Sequence, residues 1–377
     1  MLPRTLPIAL CLFLVSPLPA QDDGDFRPLF NGKDLDGWVV VNTAPSTWSF
    51  DAEGLLVCTG KPIGEIRTEK MYQNFILELE WRHLKPKGNA GVFVWADDIT
   101  ARGQPFHRGI EVQVLENAYG QSQGHTTHGD IFPIHGASMT PLNGRGGGRA
   151  FPTEERSKPS PEWNHYRIEC RDGEISLAVN GKVVTRGKDC VPRKGYICLE
   201  SEGGIVHYRN VRLRELPDTP ILDPAHIAIA HRGYRSLYTG VDLAGWETAT
   251  GWTSKDWILS SAAGAGALTT AETFTGDLGF VVDFKTTKDS GPARFTIRGA
   301  TLTLDPSDPR LGPLLEEAGR WNRIEGSLIG TRLSLEVNGK PLENAGDLSG
   351  LVAAGPISLL PAGPVDWANL FVRPLPR

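Results

Sequence analysis

Four of the nine histidines in this chain, His107, His125, His128 and His135, fall within one short block. In the same block Glu111 and Gln113 alternate with Ile110, Val112 and Val114. A β-strand turns successive side chains to opposite faces, so this stretch sets a carboxylate and an amide side by side, away from its aliphatic face. The carboxylate suits a general base or an acceptor of sugar hydroxyls, and the amide both donates and accepts hydrogen bonds. A solvated sheet face is the plainer reading. The adjoining histidine-rich loop favours function, because it can bury that face. His135, in FPIHGAS, has the ring for acid–base exchange and equally for pinning a loop. His125, His128 and Asp130, in GHTTHGD, have metal-ligating side chains, but their spacing matches no zinc signature. Substrate contact therefore ranks ahead of a divalent metal, and no cofactor is predicted.

Arg82, Asn89, Glu202 and His207 sit at strand ends or in glycine-rich turns from which a side chain reaches a groove, although Asn89 in KGNAG is first a turn residue. Trp38, Trp48, Trp81, Trp95 and Trp163 offer planes on which sugar rings stack. Trp95 is the preferred platform, since the second half of the chain has no counterpart for it. No nucleophile elbow, Walker motif, zinc-protease helix or dinucleotide fingerprint occurs, and Gly144 to Ala150 reads as a flexible loop.

The elements that position these residues come in two sets. FNGKDLDGW (Phe30 to Trp38) is echoed by YTGVDLAGW (Tyr238 to Trp246) 208 positions later, FILELEW by LGFVVDF, PEWNHYRIE by GRWNRIEGS, LAVNGK by LEVNGK, and VHYRNVRLRELP by VDWANLFVRPLP. A domain-sized period predicts two copies of one domain. Short alternating runs bounded by Gly, Pro, Asn and Asp predict antiparallel strands throughout, with hairpins at Asn180-Gly181 and Asn338-Gly339 and a single helix over 311–319. The predicted fold is all-β: two tandem β-sandwich (jelly-roll) domains, over 21–217 and 237–377, joined by a linker over 218–236. From Phe93 in AGVF to Trp163 is 70 residues, against 26 from Phe295 in ARF to Trp321. The first copy thus carries about 44 extra residues, the histidine block and the loop after it, while Glu111 and Gln113 align with Thr301 and Thr303. A loop system of that length is more often functional than structural.

Residues 1–20, with one arginine and an apolar run from Leu6 to Val15, read as a cleaved secretory signal too short to span a bilayer. The expected location is secreted or periplasmic, with no membrane span. The mature chain keeps Cys58, Cys170, Cys190 and Cys198, which an oxidising compartment lets pair in any of three ways or leaves as buried thiols. A net charge of -5 and a pI near 6.0 give no basic footprint for nucleic acid.

FNGKDLDGW, FILELEWR, GNAGVFVW, GIEVQVLEN, GHTTHGDIF, PEWNHYRIEC, LAVNGKVV, LESEGG and YRNVRLREL, in that order, resemble the 3-keto-disaccharide hydrolase domain family over about Phe26 to Pro217. The second copy resembles a smaller, degenerate relative. The resemblance implies a concanavalin-like jelly roll whose concave sheet binds an oligosaccharide or glycoside oxidised at C3. It further implies loss of the C2 proton, elimination of the C1 aglycone, and hydration. In that scheme Glu111 or His135 is the base, and Gln113, Arg82, Asn89, Trp95, Glu202 and His207 hold the substrate. The alternative is a non-catalytic, lectin-like or cell-surface module, since the same sandwich often only binds sugar.

Overall fold

The computed structural model describes residues 26–247, 249–343 and 349–376, and the predicted signal over 1–20 lies outside the described residues. Strands dominate, and their pairing separates the chain into two sandwiches. In the first, a nine-stranded antiparallel sheet is centred on Phe75–His83, Asn164–Arg171 and Val206–Glu215. It packs against a six-stranded sheet ordered Trp38–Val41, Gly64–Thr68, Tyr196–Ser201, Gly91–Ala96, Gly109–Gln113, Ile131–Ile134. Alternation decides which side chains meet between them. Leu77, Leu79, Trp81, Tyr166 and Ile168 from one sheet and Ile66, Val92, Ile110, Val112 and Leu199 from the other form one buried core. Each fully buried aliphatic side chain there contributes about 1.5–3 kcal/mol.

The second sandwich repeats the plan with a core of its own, including Phe280, Phe284, Phe295, Ile324, Leu359 and Trp367. Its larger sheet is eight-stranded. Its smaller sheet has four strands, Leu268–Thr269, Ile357–Leu360, Ala293–Ile297 and Ala300–Leu304. The two predicted hairpins form, with Asn180 and Gly181 at φ 47° and 88° and Asn338 and Gly339 at 54° and 77°. Both turn positions need positive φ, which Asn and Gly reach at least cost. The helix expected over 311–319 is reduced to a 3-10 turn, Gly312–Leu314. The backbone becomes extended at Leu315, which ends the turn there.

The segment over 218–236 is firmly held. The Arg232 guanidinium makes two hydrogen bonds to Asp98, of 2.8 and 2.6 Å, and Arg235–Ser236 pairs with the final strand of the second sandwich. Beside it Val41, Ile99, Tyr234, Val281 and Phe371 form a small core shared by the two sandwiches. A tight turn of the first sandwich, closed by the Thr100–His107 bridge, is gripped at its tip by the second. Gly103 N donates to Asp283 Oδ2 (2.7 Å), Arg323 to the Thr100 carbonyl (2.9 Å), and Asn369 Nδ2 to the Ala101 and Gln104 carbonyls (3.0 and 3.1 Å). The base of the same turn delivers His107 to the six-stranded sheet.

Cys58, Cys170, Cys190 and Cys198 are buried free thiols. Among the described residues no helix is long and apolar enough to cross a membrane.

Candidate active site

The face of the six-stranded sheet that points away from the core is polar and yet withdrawn from solvent. Glu65, Glu111, Gln113 and Glu200 keep only 0, 6, 7 and 1 % of their surface. Strand register explains how they gather. Glu200 lies opposite Glu65, Gly91 opposite Gln113, and Phe93 opposite both Cys198 and Glu111. Gly91 makes room for the group. A Cβ there would meet Glu200 Oε2 at 2.9 Å and Glu111 Oε1 at 3.0 Å, so the two carboxyl groups converge above a residue without a side chain. Glu202, two residues on from Glu200 and on the same face, accepts a hydrogen bond from Asn89 Nδ2, and Gln113 Nε2 donates to Asn89 Oδ1 (3.0 Å).

Crowding gives these carboxyl groups different proton affinities. Burial, then the neighbouring Glu202, raises Glu111 well above the usual carboxylate range, against an opposing pull from Arg149. Burial, Glu202 and Glu111 do the same to Glu200. Burial raises Glu202 to about 7, with hydrogen bonds from Asn89 and Glu200 restraining the rise. The face therefore biases two carboxyl groups toward the protonated form beside one that exchanges its proton near neutral pH.

The long loop closes one side. Arg149 is held by Asp130 (2.9 Å) and stacks on the Phe132 ring, which is paired opposite Glu111. His135 keeps exposed surface at the edge of the face, but partial burial and the nearby His107 lower it to about 4, leaving it a neutral ring.

The structure thus brings together Glu111, Gln113, Asn89 and Glu202, with His135 at the rim, and separates the remaining sequence candidates. Arg82 and His207 lie on the outer face of the nine-stranded sheet. Arg82 approaches His207 Nδ1 (3.4 Å) and stacks over Trp163. Both sheets show the same alternation in sequence, so periodicity alone did not assign these residues to a sheet. Trp95 is fully buried in the core and donates to the Gln73 carbonyl (2.8 Å), which removes it as a sugar platform. The metal candidates of the loop do not converge. His128 is buried against Trp81, bonds the Leu115 carbonyl and is lowered to about 4 by burial. His125 pairs with Ser122 (2.8 Å), and Asp130 accepts from Thr126 and Arg149.

Three participants were not singled out from sequence. Glu200 was visible in principle, because LESE alternates as IEVQ does. Glu65 and Arg149 carried no local signal, the latter lying in a stretch that reads as flexible. The larger open depressions, about 590 Å³ beside Tyr234 and Glu325 and about 650 Å³ lined by Val40 and Thr270, include none of these carboxylates.

Residues 25–214, half of the chain, match the 3-keto-alpha-glucoside-1,2-lyase-like domain. Among solved structures, a provisionally assigned glycosyl hydrolase from Parabacteroides distasonis is 22% identical, with a TM-score of 0.40 over 51% of this chain and 94% of that one. The carbohydrate-binding module CBM66 from Bacillus subtilis is 15% identical, with a TM-score of 0.35 over 48% of this chain and 96% of that one. No curated protein matches the sequence.

Proposed function

The chain belongs to the 3-keto-alpha-glucoside-1,2-lyase-like family, and on that footing we propose that it cleaves glycosides already oxidised at C3. The observation that carries this reading is the set of carboxyl groups around Gly91, held at different proton affinities by burial and by one another. A ketone at C3 acidifies the C2 proton. Ionised Glu202 takes that proton, and the electron pair moves onto the C3 oxygen as an enolate. Arg149 and the Gln113 amide are placed on the same face to stabilise the negative charge. When the enolate collapses, the C1–O bond breaks and the aglycone leaves with a proton from Glu111 or Glu200, whose raised proton affinity suits a general acid. Water then adds to the enone. This division of roles needs one base, one oxyanion stabiliser and one acid, unlike the carboxylate pair of ordinary glycosidases. We place the base at Glu202 in preference to His135, whose low basicity makes it a weak proton acceptor at neutral pH.

The test is turnover of a 3-keto-glucoside carrying deuterium at C2. A primary isotope effect, with exchange of the C2 label into solvent, is expected. Saturable binding without product would identify a lectin-like module instead, and full activity in both Glu202→Gln and Glu111→Gln would refute the assignment. We further propose export of the protein, supported by the predicted signal, and an origin of the two sandwiches by duplication, supported by their shared motifs.

A further inference from the structure

Beside the carboxyl groups, toward the Gly64–Thr68 strand, three side chains of different donor chemistry meet. Glu65 and Cys198 project from neighbouring strands, and His107 arrives from the base of the gripped turn. One ligand atom from each lies within 4.8 Å of the other two. Cys198 Sγ is 3.8 Å from His107 Nδ1, and the Glu65 carboxylate contacts the same ring nitrogen. All three residues are fully buried. Two of their polar atoms, Glu65 Oε1 and His107 Nε2, are buried without a hydrogen-bond partner. Unpaired buried polar atoms are costly. Glu65, Glu111 and Glu200 share the polar face with Arg149, which acts on Glu111, and with Arg67, which lies opposite Cys198.

We propose that Glu65, His107 and Cys198 bind a divalent transition-metal ion of the zinc type. The donor set selects the class. A thiolate with an imidazole favours zinc and its neighbours, whereas magnesium and calcium prefer oxygen alone. The spacing agrees. With Zn–S near 2.3 Å and Zn–N near 2.0–2.1 Å, donors 3.8 Å apart subtend about 120° at the ion, close to tetrahedral. Glu65 supplies its second oxygen as the remaining donor, which gives Oε1 the partner it lacks, and the thiol proton is released on binding. The three residues supply three donors in a fully buried pocket, so the ion fixes His107 and the turn that carries it and adds positive charge beside the carboxyl groups. The proposal stands apart from the glycoside reading, since a binding module would hold the ion equally well.

The test is spectroscopic. Chelator-treated full-length protein is titrated with Co²⁺ and then with Zn²⁺. One equivalent of Co²⁺ should bind with a thiolate-to-cobalt charge-transfer band, and Zn²⁺ should displace it. Cys198→Ser should lose the band and weaken Co²⁺ binding by more than the roughly 10–100-fold that loss of a supporting residue costs. Cys170→Ala, elsewhere in the core, should keep both. No band at saturating Co²⁺, or a band that survives Cys198→Ser, overturns the proposal. Should Cys198→Ser fail to fold, Glu65→Gln keeps the thiol and decides the matter by affinity: weakened Co²⁺ binding supports the site, and unchanged binding overturns it.

Discussion

The two small sheets, lined up through their central pairs Leu199–Val92 and Leu359–Phe295, differ at nearly every position of the face turned away from the core. Where the first has Glu200, Gly91 and Gln113 in a row, the second has Leu360, Arg294 and Thr303. Where the first has Cys198, Phe93 and Glu111, the second has Ser358, Thr296 and Thr301. The core-facing positions stay apolar in both. A sandwich needs only one face of each sheet for its stability, so the other face is free to gain or lose chemistry. This register also shifts one match made on sequence. Phe295 points into the core and corresponds to Val92, not to Phe93, so the counterpart of the open Gly91 is the long side chain of Arg294.

The sharpest way to break the comparison is to remove the titrating group. Glu202→Gln should lower kcat about 10²–10⁴-fold while the far-UV spectrum is unchanged. Gly91→Ala carries the first sheet one step toward the second by pushing a methyl group between Glu111 and Glu200. Displacing catalytic groups by about 1 Å costs on the order of 100-fold, and single-turnover rates with saturating substrate measure it.

Proton linkage offers a third measurement. The kcat/KM of the wild type should climb as Glu202 ionises and level off above about 7. Its effect on stability has the opposite sign. The folded pKa lies above the unfolded value near 4.5, so the native state holds the extra proton between the two. The stabilisation is fully present at low pH and is lost as pH rises through about 7. Urea titrations at pH 5 and pH 8 should show this loss in the wild type and a smaller one in Glu202→Gln.

The mildest perturbation leaves the carboxyl face intact and loosens the second sandwich's grip on the turn that carries His107. Asn369→Ala removes the side-chain donor to the Gln104 carbonyl and one of the two donors to the Ala101 carbonyl. It should cost about 1–3 kcal/mol of stability and raise KM a few-fold with kcat nearly unchanged. An equal fall in kcat would show that the turn does more than hold the binding face.

Much of the architecture was legible without coordinates. Period-two alternation located the strands, and the two Asn-Gly pairs located their hairpins, because both depend on neighbours along the chain. The lone expected helix shrinks to a 3-10 turn because the backbone becomes extended at Leu315, which neighbours along the chain do not dictate. Within the site, Glu111 and Gln113 were legible for the same local reason that the strands were. Glu202 and Asn89 were recognised only as residues near a groove.

The residues alone decide the face on which each side chain of a strand stands, since backbone geometry sets that within a few positions. They do not decide which sheet a strand joins or which strand lies beside it. Those depend on contacts between residues far apart in the chain, such as Glu200 with Glu111 and Arg149 with Phe132. Arg82 and His207 alternate as faithfully as Glu111 does, yet they face outward from the opposite sheet. The proton affinities are tertiary as well. Glu202 is an ordinary carboxylate in the sequence and approaches 7 only where folding buries it among its neighbours.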